Sequence, residues 1–346
     1  MTFGCPELLV SVVRVRAMVL RSVGPAEEEP LREEDVPTPE PGAGEVLVEV
    51  RACGVCRTDL HIVEGELPPR KLPLIPGHQV VGVVREVGSG VTKVSVGDRV
   101  GVTWLYWTCG ECRFCRRGLE NLCERALFTG YDADGGYAEY MVAREGFAFR
   151  LPEGPGDIEL APLLCAGVIG FRALRMCELE EGGRLGLFGF GSSAHIVIQI
   201  ARHLGYETYV FTRSEEHQRL AWELGAAWVG RPGDRPPREL DAAIVFAPAG
   251  WVLVEALKVV GRGGRVVSAG IYMTPIPQLD YRLLYFERSI KSVANCTRDD
   301  VRRLLRVAEE ARVRVSVEVF PLSQANLALK LLKTRGLRGS GVLKVR

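Results

Sequence analysis

The segment Arg184-Leu-Gly-Leu-Phe-Gly-Phe-Gly-Ser-Ser-Ala194 decides the fold. Its first five residues are an apolar run typical of a buried strand, and residues 194–204 have the length and apolar spacing of a helix. Between them lies the pattern G-x-G-x-x-[G/A]. Gly189 permits the tight turn, Gly191 lets the backbone approach a pyrophosphate, and Ala194 allows close helix–strand packing. The helix N-terminus attracts the anion, so the segment predicts a dinucleotide site; the alternative is a purely structural turn.

The alternation of strand and helix continues beyond this segment. The pattern predicts further strands at 208–211, 240–246 and 265–269 and helices at 215–224 and 251–260. Strands that alternate with helices of this length indicate βαβ units on a parallel sheet.

The region from about residue 16 to residue 150 is different, because it reads as short strands punctuated by Gly and Pro. Strands are predicted at 45–50, 80–87 and 96–102, which suggests a barrel-like or sandwich-like domain. The last fifty residues contain a predicted helix at 299–311 and a strand at 342–345, and they could cover either domain. The length of 346 residues agrees with two domains.

Composition excludes several classes of protein. The net charge of +1 argues against a general affinity for nucleic acid, and no run approaches the roughly 18 apolar residues of a membrane span. The first dozen residues resemble an extension without a basic leader or a cleavage site. We therefore expect a cytoplasmic protein with no nucleic-acid or membrane partner, whose ten cysteines are reduced or bound to metal.

Four of these cysteines lie within fifteen residues, a stretch called here the four-cysteine lobe (residues 109–123). Their pattern is Cys109-x2-Cys112-x2-Cys115-x7-Cys123. Four thiolates on a short loop can close a tetrahedral zinc site with no open position. Such a site holds the loop in shape; chance clustering or disulfides are the alternatives.

A second metal site would need about three protein ligands and one exchangeable position. The candidates outside the lobe are Cys53, Cys56, His61, His78 and Cys165. Each of them could equally be a core residue, since lone buried Cys and His side chains are common. Three further cysteines, Cys5, Cys177 and Cys296, have no partner in the pattern and are interpreted as core or incidental residues.

The end of the second predicted strand of the parallel sheet indicates which cofactor is bound. A carboxylate there would bind the ribose hydroxyl of NAD, but the chain has Phe211-Thr212-Arg213-Ser214. A hydroxyl and a guanidinium suit a 2′-phosphate, so Thr212 and Arg213 favour NADP over NAD. The alternative is that Arg213 is a solvated surface residue.

Taken in order, several motifs resemble the zinc-dependent alcohol dehydrogenases of the medium-chain dehydrogenase/reductase superfamily. The motifs are Gly54-Val-Cys56-Arg57-Thr58-Asp59-Leu-His61, Gly77-His78, the four-cysteine lobe, Leu164-Cys165-Ala-Gly167 and Gly189-Phe-Gly191. The runs Trp104-Leu-Tyr, Phe128-Thr-Gly-Tyr and Gly135-Gly-Tyr-Ala-Glu139 are similar to the bacterial ethanol- and propanol-type branch. The similarity extends from about residue 16 to residue 346.

The resemblance implies an α/β plus β fold with two zinc ions per chain. A GroES-like catalytic domain, residues 1–165 and 296–346, would hold an inserted Rossmann domain, residues 166–295, with the catalytic cleft between them. The catalytic zinc would be bound by Cys56, His78 and Cys165. The structural zinc would be bound by Cys109, Cys112, Cys115 and Cys123, and Cys53 would be a bystander.

The resemblance also implies roles for polar residues around the catalytic zinc. Asp59 would orient His78, and Thr58 and His61 would form a proton relay. Arg57 and Arg338 would contact cofactor phosphates. Trp104, with Trp107 as a further candidate, could line an apolar pocket for a small alcohol or aldehyde; the alternative is that both are core aromatics. Homologous enzymes are often tetramers or dimers, so a homo-oligomer is expected.

One residue departs from the family pattern, which has Gly-His-Glu where this chain has Gly77-His78-Gln79. Gln79 is neutral and a poorer ligand than the Glu that is thought to approach the metal in the family. Two other functions compete with an alcohol dehydrogenase. A zinc-free enone or quinone reductase would not need Cys56, His78 and Cys165 together, and a zinc-ribbon binding module would account for the lobe alone.

Overall fold

The fold, a computed structural model that describes residues 13–334 and 336–346, is built on two main sheets. The strands are β1 Arg14–Leu20, β2 Leu31–Pro37, β3 Glu45–Val55, β4 Val80–Val87, β5 Arg99–Val102, β6 Leu105–Trp107, β7 Leu127–Phe128, β8 Tyr140–Arg144, β9 Ala148–Arg150, β10 Arg184–Phe188, β11 Glu207–Phe211, β12 Trp228–Gly230, β13 Leu240–Val245, β14 Val260–Ser268, β15 Ser289–Ser292, β16 Val317–Pro321 and β17 Ser340–Lys344. The helices are α1 Arg57–Val63, α2 Asp157–Leu160, α3 Ala166–Met176, α4 Ser192–His203, α5 Glu215–Glu223, α6 Gly250–Val259, α7 Arg298–Glu310 and α8 Ala325–Thr334.

One of the two main sheets, the parallel sheet, contains six strands in the order β12-β11-β10-β13-β14-β15. Its strands are buried on both sides: Leu187 packs in one core cluster with Ile196 of α4, and Phe188 packs in another with Leu253 of α6. The strand order reverses between β10 and β13. In such doubly wound sheets the ligand crevice lies at this reversal, beyond the carboxyl ends of the strands.

All predicted elements of the parallel sheet are confirmed, with boundary shifts of a few residues. The largest shift is in β14, which begins at Val260 because that residue pairs with Leu240 before an irregularity in the register. The sequence did not reveal β12, β15 or α3. The two strands are only three and four residues long, too short to produce a clear periodic signal.

The other main sheet has seven strands, with β3 at its centre. β17 from the C-terminal end of the chain pairs antiparallel with β3, so that Leu343 lies opposite Cys53. The final fifty residues therefore serve both halves of the molecule, because β16 and β17 extend this sheet whereas α7 packs on α3 in the core of the parallel sheet. Separate two-stranded sheets are formed by β1 with β2 and by β6 with β7.

The predicted strand at 96–102 is partly wrong, since only Arg99–Val102 is extended. Residues 95–98 form a turn in which the Ser95 amide donates to Asp98 Oδ2 at 2.8 Å, and Gly97 has a φ of +93°. Val96 is consequently exposed. Among the helices at 13–334 and 336–346, none has the length and apolar character that a membrane crossing requires.

Candidate catalytic and cofactor sites

Cys56, His78 and Cys165 meet at one point, and this three-ligand cluster is assembled from three separate parts of the chain. Cys56 caps the N-terminus of α1, His78 lies in the turn before β4, and Cys165 precedes α3. Their ligand atoms all lie within 4.8 Å of one another, and the two sulfurs are 3.9 Å apart. This separation is far longer than a disulfide bond, and it is close to the roughly 3.8 Å between thiolates on one tetrahedral zinc with 2.3 Å bonds.

The His78 ring is oriented by a buried carboxylate. Asp59 Oδ1 is 2.9 Å from His78 Nδ1, while Oδ2 accepts from the Cys56 amide at 2.9 Å and from the Tyr137 hydroxyl at 3.2 Å. With Nδ1 occupied, His78 Nε2 is buried and has no hydrogen-bond partner among the described residues. An orphaned imidazole nitrogen beside two cysteine sulfurs is what a zinc ligand set requires, so these residues fit the metal.

The electrostatics of the three-ligand cluster point the same way. Because the Cys165 thiol donates to the Cys56 sulfur, the pKa of Cys56 lies well below its usual range. Burial lowers the pKa of His78, but the Asp59 carboxylate outweighs burial and raises that pKa to about 10. The cluster therefore gathers negative charge that a divalent cation would neutralise on binding, with release of protons.

The four-cysteine lobe also closes as expected. The four sulfurs lie within 4.8 Å of one another, with Cys109 at 3.8 Å from Cys115 and at 3.5 Å from Cys123. The Cys112 amide donates to the Cys109 sulfur and lowers the pKa of Cys109 to about 6, which favours the thiolate. Within the described part of the chain the cluster consists of these four sulfurs, which matches a saturated site.

Thr58 and His61 lie one helical turn apart on α1, as the relay expectation requires. Thr58 is buried, and its hydroxyl is 3.6 Å from the Cys56 sulfur. The His61 Nδ1 contacts the Glu66 carboxylate, and the His61 ring centroid is 5.7 Å from that of Tyr272. The sequence did not reveal Glu66, because it lies in the irregular segment after the helix where no pattern marks it.

The glycine-rich turn has the geometry that the sequence predicted. Gly189 has a φ of +90°, and a side chain there would meet the Ala247 backbone at 3.0 Å. At Gly191 an added Cβ would meet nothing within 4 Å, so the N-terminus of α4 is open to a ligand. Ala194 is fully buried in α4. The turn therefore offers an open backbone surface at a helix N-terminus, which suits a pyrophosphate.

The residues expected to contact the ribose and phosphates of the cofactor differ in how exposed they are. Thr212 is buried and its backbone is held by Gly230 and Gln218, whereas Arg213 is exposed. Arg338 lies 3.6 Å from Glu216 in the first turn of α5. Arg57 is exposed at the start of α1.

The two tryptophans that the sequence offered as pocket residues lie in different places. The Trp104 ring meets the His78 ring edge-on at 4.9 Å and stacks on Phe128 at 5.1 Å, so Trp104 borders the three-ligand cluster. Trp107 lies at the far end of β6, paired with Leu127 near the four-cysteine lobe.

Gln79, the residue that departs from the family pattern, is buried. An added Cβ at Gly54 would lie 2.8 Å from the Gln79 side-chain amide, so Gly54 and Gln79 pack tightly.

Among the cysteines that the structure describes, Cys53, Cys177 and Cys296 belong to neither ligand cluster. Cys53, Cys177 and Cys296 are fully buried, and burial raises the pKa of each thiol. Cys5 lies outside the described residues. The interpretation of Cys177 and Cys296 as core residues is confirmed by their burial.

Comparison with known proteins agrees with this arrangement. The family of the alcohol dehydrogenase GroES-like domain matches residues 42–153, and the zinc-binding dehydrogenase family matches residues 194–310. A probable alcohol dehydrogenase of Mycobacterium tuberculosis is 49% identical over 335 residues, which cover 95% of this chain and 97% of its own. An alcohol dehydrogenase of Geobacillus stearothermophilus is 38% identical over 92% of this chain and 97% of its own.

A solved structure shares the whole architecture. The thermostable alcohol dehydrogenase from Pyrobaculum aerophilum superposes with a TM-score of 0.88 at 29% identity, covering 96% of this chain and 100% of that one. The fold is thus a GroES-like domain with a Rossmann-like nucleotide-binding domain. The comparisons and the ligand clusters support zinc and a nicotinamide cofactor. The chain belongs to the zinc-type alcohol dehydrogenases of the medium-chain dehydrogenase/reductase superfamily, oxidoreductases that act on alcohols and aldehydes.

Proposed function

We propose that this oxidoreductase depends on zinc held by Cys56, His78 and Cys165, and that it moves hydride between a small alcohol and a nicotinamide cofactor. The observation that carries the proposal is the buried, unpartnered Nε2 of His78 beside two cysteine sulfurs. Bound there, zinc supplies a Lewis acid that lowers the pKa of a coordinated hydroxyl towards neutrality. The structural zinc belongs to the four-cysteine lobe, so the chain holds two ions.

The proton of the alcohol leaves through α1. Thr58, whose buried hydroxyl lies beside the Cys56 sulfur, would accept this proton and pass its own hydroxyl proton through the cofactor ribose to His61. His61, one turn further along the helix, takes the proton to the surface. Glu66, in contact with His61 Nδ1, holds the imidazole and balances its charge when it is protonated. Trp104 packs edge-on against His78. It therefore excludes water from the reacting atoms and restricts the substrate to one side of the three-ligand cluster.

The cofactor site uses the glycine-rich turn for the pyrophosphate and the exposed arginines for further phosphates. Gly189, Gly191 and Ala194 supply the open N-terminus of α4. Arg57 and Arg338 contact phosphate oxygens, and Arg213 at the end of β11 binds the 2′-phosphate of NADP. The buried Thr212, whose backbone pairs with Gly230 and Gln218, holds the end of β11 in place beside Arg213. Glu216, 3.6 Å from Arg338, must release that guanidinium when an anion binds.

The catalytic domain comprises residues 1–165 and 296–346, and the Rossmann domain residues 166–295. A second copy of the chain joins at β15, one of the two edge strands of the parallel sheet, which has no further strand beside it among residues 13–334 and 336–346. Exposed aromatic rings flank that edge, namely Tyr281, Tyr285 and Phe286. The resulting homo-oligomer is a dimer or a tetramer. The reduced cysteines agree with a cytoplasmic location, which stays a prediction.

The test combines metal analysis with a substrate screen. Purified protein should contain two zinc ions per chain and oxidise primary, secondary or aromatic alcohols with NADP, more slowly with NAD. Cys56→Ser and His78→Ala should abolish turnover while leaving the four-cysteine lobe loaded. Turnover that survives complete removal of metal would instead identify an enone or quinone reductase, and tight nucleic-acid binding without dehydrogenase activity would identify a zinc-ribbon binding module.

A further inference from the structure

The four-cysteine lobe is joined to a distant part of the chain through two buried polar side chains. Glu120 and Asn121 lie in a single 3-10 turn between the third and fourth cysteines. Asn121 Nδ2 donates to the Ala294 carbonyl at 2.6 Å, and Glu120 Oε1 accepts from both the backbone amide and the Nε of Arg298, at 3.0 and 3.1 Å. Both side chains are more than 90% buried, so these contacts are shielded from water.

The segment they hold, residues 293–298, is called here the connector. It leads out of the parallel sheet at the end of β15 and into the first residue of α7. Asn295 within it has a φ of +52°, a left-handed conformation that Asn adopts more readily than other non-glycine residues. The Arg298 guanidinium lies over the Phe147 ring at 4.9 Å, and Phe147 packs in the lobe's own apolar cluster. The connector is therefore fastened to the lobe by polar contacts and by packing.

The connector in turn fixes a helix that reaches the three-ligand cluster. Thr297 caps α7 in a reciprocal capping box with Asp300. Asp300 is fully buried and receives Arg172 Nη1 at 2.6 Å and Arg175 Nη1 at 2.5 Å, both from α3. These charge-assisted bonds set the position of α3 against α7.

Cys165 is the residue that immediately precedes α3 and forms its N-cap. A shift of this helix along its axis would carry the Cys165 sulfur with it. A continuous set of contacts thus runs from the four-cysteine lobe through the connector and Asp300 to a sulfur of the three-ligand cluster.

We infer that Glu120 and Asn121 are positioning residues: they transmit the folded state of the lobe to the connector and, through α3, to Cys165. The seven residues between Cys115 and Cys123 contain both side chains, so a metal that binds all four cysteines fixes both ends of the turn that presents them. The lobe then holds the connector, the segment that leaves the parallel sheet, in a fixed position. The step to metal binding at Cys165 rests on the proposed function, whereas the step to the connector does not.

The experiment compares Glu120→Gln and Asn121→Ala with a matched control in the full-length, zinc-loaded protein. The control is Glu124→Gln, since Glu124 is exposed next to the same lobe and lies 4.0 Å from the exposed Arg113. Hydrogen exchange measured by mass spectrometry reports on residues 293–298 and 165–176. Zinc release to a chromophoric chelator reports on the three-ligand cluster. Asn121→Ala removes one neutral hydrogen bond and so keeps the test available if Glu120→Gln does not fold.

We expect exchange in the connector to rise about tenfold in Glu120→Gln and less in Asn121→Ala, with faster zinc release from the three-ligand cluster. Glu124→Gln should match the wild type in both measurements. Equal connector exchange in Glu120→Gln and Glu124→Gln would overturn the inference. Unchanged exchange at residues 165–176 and unchanged zinc release in Glu120→Gln would overturn the step from the connector to Cys165. Exchange needs no turnover, so failure of the proposed function would appear separately, as wild-type protein that loads zinc but oxidises no alcohol.

Discussion

The two cysteine clusters of this chain are built in opposite ways. The four-cysteine lobe draws its ligands from fifteen consecutive residues, whereas the three-ligand cluster draws them from positions separated by up to 109 residues. The lobe has four sulfurs and is saturated, but the cluster has three donors and leaves one position for an exchanging ligand. Local ligands make a site that shapes the chain, and distant ligands make a site that depends on the whole fold.

The clusters also differ in what surrounds the donors. Asp59 and Tyr137 form a buried layer behind His78, so the ring has one orientation. In the lobe the sulfurs are supported by backbone amides such as that of Cys112. An outer layer of side chains tunes the metal, whereas backbone amides need only the correct turn.

The largest expected effect comes from removing one cysteine sulfur from the three-ligand cluster and, in a separate variant, one from the four-cysteine lobe. Cys165→Ala should lower turnover per folded molecule by roughly 1000-fold, because the Lewis acid contributes several kcal/mol to the transition state. Cys115→Ala should instead lower the thermal midpoint, while the molecules that remain folded keep much of their turnover. Steady-state kinetics and thermal unfolding on both variants separate the two outcomes. Equal loss of turnover per folded molecule in both would contradict the comparison.

The next effect concerns the layer behind the ligands. Asp59→Asn should weaken zinc binding by about 10- to 100-fold, since the carboxylate that orients His78 is lost. Competition with a chelator of known affinity measures this. Asp241→Asn provides the control, because Asp241 pairs with Arg184 at the opposite end of the parallel sheet. A zinc affinity that does not change in Asp59→Asn would mean that the ring is oriented by packing alone.

Chelation should separate the two ions in time. The three-ligand cluster has one donor fewer and an open position, so its zinc should leave roughly tenfold faster than that of the lobe. Turnover should disappear with the first ion, and unfolding should accompany the second. Zinc release, activity and circular dichroism followed in one sample test this order. Loss of structure before loss of turnover would reverse the roles of the sites.

The smallest effect is expected at Tyr137. Tyr137→Phe removes the 3.2 Å hydrogen bond that Tyr137 donates to the Asp59 carboxylate, so the free energy of unfolding should fall by about 1.5 kcal/mol, the low end for a bond to a charged group. Urea denaturation measures the change, and zinc affinity should shift less than in Asp59→Asn. A shift in zinc affinity as large as that of Asp59→Asn would place Tyr137 on equal terms with the carboxylate.

Much of the site could be predicted from sequence because its signals are local. The lobe is a spacing pattern, and the glycine-rich turn is read from Gly189, Gly191 and Ala194, which keep their meaning wherever the turn lies in the fold. Residues in irregular segments could not be predicted in this way. Glu66 and Asn121 have no periodic or motif signal, and their importance comes only from what the fold brings beside them, His61 and Ala294.

The sequence by itself determined the parallel sheet, the saturated lobe and the cofactor turn, since hydrophobic periodicity and ligand spacing act over a few residues. It also supplied five ligand candidates outside the lobe, but only the resemblance selected Cys56, His78 and Cys165 among them, because nothing in their spacing brings them together. The tertiary structure alone decided that their donor atoms converge and that the C-terminal β17 pairs with β3. Contacts between distant residues depend on how helices and sheets pack, which no short stretch of sequence encodes.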